Sequence, residues 1–129
     1  MIAVSKFKIK KNALEFILGL SREVYPNEFT GLLRGNKDII TEILVIPAST
    51  YGNGFASIRL DMVPIDKSII GSIHSHPGDS DMPSLADLRH FRKTGWVHLI
   101  VKYPYSGIND VTLYNNNGEK VELEMENEY

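Results

Sequence analysis

An apolar run that ends in two histidines constrains this chain more than any other stretch of it. Ile69-Ile70-Gly71-Ser72-Ile73 forms the middle of a strand predicted from Ser68 to His76, and it leads into His74-Ser75-His76-Pro77. Pro77 has no amide hydrogen, so strand pairing stops there. Gly78 to Pro83 reads as a loop. Ser84 suits a helix N-cap, and Leu85, Leu88 and Phe91 make the buried stripe of a helix running to about Lys93. A strand must therefore hand over to a helix across one short loop, with chemically capable side chains on both sides of the junction.

The rest of the chain reads as α/β. Asn12, with Glu15 three residues later, predicts a helix start, and Leu14, Ile17, Leu18, Leu20 and Val24 keep the helical period. Tyr25-Pro26 ends that helix, because a residue before proline is pushed out of the helical region. Phe29 to Arg34 and Ile39 to Ile46 read as paired strands around a Gly35-Asn36-Lys37-Asp38 turn. Pro47 to Phe55 is a polar loop and Phe55 to Leu60 a short strand. Trp96 to Tyr103 is a strongly apolar strand. Val111 to Tyr114 and Val121 to Met125 alternate around Asn116-Asn117-Gly118, a hairpin signal. Two helices and a mixed sheet follow, in one domain spanning 1–129.

Composition narrows the chemistry. The chain of 129 residues has no cysteine, which excludes disulfide scaffolds, cysteine-type zinc fingers and thiol nucleophiles. Any metal must be held by histidine and carboxylate. With 14 Lys and Arg against 16 Asp and Glu, the net charge of -2 gives no nucleic-acid surface. Met1 to Lys11 has basic residues but no apolar signal core, and no run approaches the ~20 apolar residues of a membrane span. A cytoplasmic protein is the expectation.

Residues two apart on a strand point to one side, roughly 7 Å apart along it. His74 and His76 can thus reach one ion while Ser75 faces away, and Asp87 in the first turn of the next helix can fold back to join them. Two imidazoles and a carboxylate suit a divalent transition metal. Three protein ligands leave a fourth position for water, whose pKa a zinc ion lowers to near neutrality. The plain alternative for Ser84-Leu85-Ala86-Asp87 is a capping box, and both roles are compatible in Ser84. Hydrolysis also needs a proton acceptor, since the ligands' lone pairs are used. Asp79 and Asp81 are near in sequence, but spacing alone does not choose among the acids.

The string His74-Ser75-His76-Pro77 to Ser84-Leu85-Ala86-Asp87 resembles the JAMM signature of the MPN-plus metalloproteases. Upstream, Glu28-Phe29-Thr30-Gly31-Leu32-Leu33-Arg34-Gly35 resembles the family's Glu-x-x-Gly-Leu-Leu-x-Gly segment. The resemblance implies a mixed, curved β-sheet flanked by helices, cytidine-deaminase-like in fold, carrying one zinc ion. It implies that His74, His76 and Asp87 hold the zinc, that Glu28 deprotonates the attacking water, and that Ser84 donates to the oxyanion of the tetrahedral intermediate. It also implies a substrate: a ubiquitin-like modifier joined through a Gly-Gly tail to lysine, as for the compact archaeal members. An extended tail is expected to add as a strand along Ser49 to Ala56 and the Gly78 to Pro83 loop.

Other readings share these residues. A peptidase trimming sulfur-carrier C-termini or small peptide adducts would use the same site with a different leaving group. An iron oxygenase also uses two histidines and a carboxylate, though its usual carrier is a double-stranded β barrel without this helix. A non-catalytic MPN scaffold would generally lack the ligands that are kept here. His90, one turn past Asp87, reads as a solvated helix residue, and His98, beside Trp96 in an apolar strand, as a hydrogen-bonded structural one.

Overall fold

The structure, a computed structural model, describes residues 6–46, 68–78, 82–83 and 95–126. The predicted strand at Phe55 to Leu60, the helix from Ser84 to Lys93, and the residues Asp79, Asp81 and His90 lie outside them, as does the proposed groove strand at Ser49 to Ala56.

Chain order is β1 (Lys6–Lys10), α1 (Lys11–Val24), β2 (Thr30–Asn36), β3 (Ile39–Val45), β4 (Ile69–His76), β5 (Val97–Lys102), β6 (Val111–Asn115) and β7 (Lys120–Glu126). The strands pair in the order β1-β3-β2-β4-β5-β6-β7, and β7 returns to β1 to close a barrel. β1 runs parallel to both β3 and β7, and β4 runs parallel to β5, while the remaining pairs are antiparallel. The expected mixed, curved sheet is present, and its curvature goes as far as closure.

β1 was not anticipated, and it corrects the predicted helix start. Lys10 pairs with Glu126 of β7 and stays extended, so the helix begins directly after it at Lys11. Asn12 therefore lies inside the first turn, and no side chain caps the helix. Long-range pairing, invisible to local pattern, set that boundary. The C-terminal end is as expected. Pro26 cannot donate a hydrogen bond, Tyr25 turns extended, and its amide closes the last turn on the Ser21 carbonyl at 3.2 Å.

α1 buries Ala13, Leu14, Ile17 and Leu18 against β1, β3, β5 and β7. Leu14, Ile17 and Leu18 each contribute roughly 1.5–3 kcal/mol by leaving water, and the single methyl of Ala13 contributes less. Cross-strand register then sorts the two faces of β4. Ile73, Leu99 and Leu113 form one row and belong to the main core. His74 and Ile100 form the next row, which faces the opposite side, and Ile100 packs with Tyr114 in a separate small cluster. β2 lies on the other flank of β4, with Thr30 opposite His74. Gly71 permits the tight β4–β5 approach, since a Cβ there would overlap the Val97 carbonyl.

Candidate metal centre

β4 carries both predicted histidine ligands to its C-terminal end. The ring centroids of His74 and His76 lie 5.1 Å apart with planes inclined by 29°, so period-two alternation has put both imidazoles on one side. His74 is buried and His76 half-buried. The Nε2 atom of His74 lies below the surface, outside any hydrogen bond with the described residues. Neutral imidazole nitrogens placed side by side at a strand end suit a divalent transition metal. Among the described residues no third histidine or carboxylate joins them closely enough to hold an ion. Asp87, the predicted third ligand, and Ser84 lie outside the described residues.

Ser75 faces away from the pair, as alternation requires, yet it has a task. Its Oγ accepts a 2.9 Å hydrogen bond from the Phe29 amide, and its own amide donates to the Phe29 carbonyl at 3.0 Å. The Thr30 hydroxyl adds a bond to the Ile73 carbonyl at 3.2 Å. The segment just before β2 is thereby fastened to Ser75, the residue between the two histidines in the chain. Glu28, the residue before Phe29, is exposed at this junction. Through Phe29 its backbone is carried to the C-terminal end of β4.

Three tyrosines complete the surroundings, and sequence reading gave them no role. Tyr25 stacks on Tyr103 with centroids 4.7 Å apart, and Tyr105 meets both edge-on at 6.1 and 5.8 Å. The Tyr105 hydroxyl donates to the His76 carbonyl at 3.0 Å. Burial pushes the Tyr105 phenol above its ordinary value, and the nearby charges of Tyr25, Glu28 and Tyr103 act in the same direction. The only local signal was the pair of Tyr-Pro steps, Tyr25-Pro26 and Tyr103-Pro104, which spacing could not connect.

His98 is structural, as expected. It is fully buried in β5, with Nδ1 2.8 Å from the Ser72 hydroxyl and Nε2 2.6 Å from Asn116 Oδ1. An amide oxygen only accepts, so Nε2 carries the proton and Nδ1 accepts from Ser72.

Residues 10–114 match the family of prokaryotic homologs of the JAB domain. The chain belongs to this family. A probable metalloprotease from Haloferax volcanii is 39% identical to this JAB protein over 127 residues, covering 91% of this chain and 78% of the relative. A JAB1/MPN domain protein from Archaeoglobus fulgidus, solved by crystallography, is 38% identical with a TM-score of 0.73, covering 92% of this chain and 98% of that one. A structure described as JAMM, a metalloprotease-like zinc site in the proteasome and signalosome, is 35% identical with a TM-score of 0.72. It covers 93% of this chain and 97% of its own. The chain has a single JAB/MPN fold, and its membership supports a metal-dependent hydrolase. Among the described residues no helix is long and apolar enough to cross a membrane.

Proposed function

We propose that this JAB protein is a zinc isopeptidase that releases a ubiquitin-like modifier from lysine by hydrolysing the bond after the modifier's C-terminal glycine. The observation that carries the reading is the side-by-side pair His74 and His76, with the Glu28 segment hydrogen-bonded to the residue between them. His74, His76 and Asp87 are assigned as the zinc ligands. Zinc, when bound there, supplies Lewis acidity and makes water acidic enough to be deprotonated near neutral pH.

The chain's own residues do the remaining work. The Glu28 carboxylate takes a proton from the attacking water, whose oxygen adds to the glycine carbonyl carbon. The Ser84 hydroxyl donates to the oxygen that becomes negative, a contact that strengthens as charge develops. Glu28 then returns the proton to the lysine Nζ as the C–N bond breaks, leaving a carboxylate on the modifier and an amine on the target. No covalent enzyme intermediate is formed, in keeping with a chain that has no cysteine.

The test is incubation of zinc-loaded protein with a Gly-Gly-lysine isopeptide conjugate, with a chelator and Glu28→Ala as controls. Cleavage is expected from the parent alone, while Glu28→Ala keeps its zinc and loses hydrolysis. Equal cleavage by Glu28→Ala would remove that carboxylate from the mechanism. A parent that trims a linear C-terminal extension and leaves the isopeptide intact would replace the isopeptidase reading with a sulfur-carrier-processing one.

A further inference from the structure

His76 is the last residue of β4. On the β2 side the ladder ends with Thr30 opposite His74, and beyond it the Ser75 amide bonds the Phe29 carbonyl. On the β5 side His76 is opposite Lys102, the final residue of that strand. Pro77 follows and supplies no amide.

Two donors grip the His76 carbonyl: the Tyr103 amide at 3.2 Å, which is shared with the Gly78 carbonyl, and the Tyr105 hydroxyl at 3.0 Å. Tyr105 is itself held on every side. Its amide donates to the Lys102 carbonyl at 3.0 Å, and its carbonyl accepts from Arg22 Nε at 2.9 Å. Its side chain is 1% exposed. Its φ of 59° lies in the left-handed region, which a residue with a Cβ rarely adopts unless its surroundings require it. The same ring packs edge-on against Tyr25, four residues after Ser21 on the chain that leads to Glu28. Tyr105 therefore touches the end of the histidine strand with its hydroxyl and the start of the Glu28 segment with its ring. Phe29, bonded to Ser75, closes the other side of that segment.

We propose that Tyr105 is a positioning residue, one that sets the His76 imidazole and the Glu28 segment in fixed relation to each other. The inference rests on the zinc reading above. Partners that orient a metal ligand without touching the metal typically govern affinity or activity by roughly 10–100-fold. Tyr105→Phe keeps the ring and its contact with Tyr25 and deletes only the bond to His76.

The experiment titrates metal-free protein with Co²⁺ alone, following its visible ligand-field absorption, and measures kcat and KM on the Gly-Gly-lysine conjugate. Tyr105→Phe is expected to keep a Tm near that of the parent, to bind Co²⁺ about 10-fold more weakly, and to lose kcat with KM unchanged. Leu14→Ala, under α1 and remote from the histidines, serves as the stability control and should lower Tm while leaving the cobalt midpoint in place. A parent-like cobalt midpoint and kcat in Tyr105→Phe would overturn the proposal, and so would losses that merely follow Tm as in Leu14→Ala. Should Tyr105→Phe fail to fold, Arg22→Met carries the test, since it frees the Tyr105 carbonyl from an exposed side chain. Weaker cobalt binding supports the proposal and parent-like binding overturns it. A parent that takes up no cobalt defeats the zinc reading and this inference together, whereas cobalt uptake identical in parent and variants defeats only the role of Tyr105.

Discussion

Single residues at this site act through neighbours as much as through their own chemistry. Ser75 is the clearest case, because alternation turns it away from the metal side and its hydroxyl instead receives the Phe29 amide. Replacing it by alanine would leave a buried N–H without an acceptor, at a cost of about 1–3 kcal/mol. Ser75→Ala is therefore expected to shift the urea midpoint by that amount and to slow hydrolysis, because Glu28 is the next residue along. Unfolding curves and turnover measured on one preparation would check both effects, and unchanged turnover would show that Glu28 is held by other means. The shared side of the histidine pair was legible from residue type and spacing, whereas Glu28 was singled out only by the resemblance of its segment. The roles of Ser75 and Tyr105 were not, because each depends on a hydrogen bond to a residue far away in sequence.

At the scale of elements, the site is the C-terminal end of β4 pinned between two strands of opposite sense. Its parallel contact with β5 depends on Gly71, where any Cβ would collide with the Val97 carbonyl. Gly71→Ala should force β4 and β5 apart at a cost of roughly 1–3 kcal/mol, the range for overpacking a dense interior. Chemical denaturation measures that cost, and a midpoint equal to the parent's would mean the strands yield without penalty. The strands at β2 to β7 were readable from alternation and turn residues. Their ends moved by a residue or two where pairing outran local pattern, as at Asn36, which stays in β2 although Gly35-Asn36 looked like part of the turn. The hairpin at Asn116-Asn117-Gly118 formed as read, with Gly118 at φ 79° and the Asn115 side chain accepting from the Asn117 and Glu119 amides.

For the whole molecule, closure through β1 and β7 sets the frame that α1 fills. Exposed lysines on β1 face glutamates on β7, Lys6 with Glu124 at 3.1 Å and Lys8 with Glu126 at 3.6 Å. Such solvent-facing pairs are screened and contribute little, so the barrel is held by its ladder and core. A metal bound only by the folded state adds to this stability by mass action, about 2.7 kcal/mol when zinc is 100 times its Kd. Zinc should accordingly raise the Tm of the parent and leave that of His76→Ala unmoved. A rise of equal size in both proteins, seen by calorimetry, would mean that the ion binds somewhere other than the β4 pair.

The sequence by itself determined the local elements and the reagent set: alternation made the strands, Pro26 stopped the helix, and the two histidines had to share a side of β4. Those outcomes follow from short-range sterics and from residue chemistry. Only the tertiary structure decided that β1 exists, where α1 begins, and how the barrel closes, because each depends on pairing between residues distant along the chain. It also decided that three separated tyrosines meet behind His76, since packing, unlike periodicity, leaves no local trace.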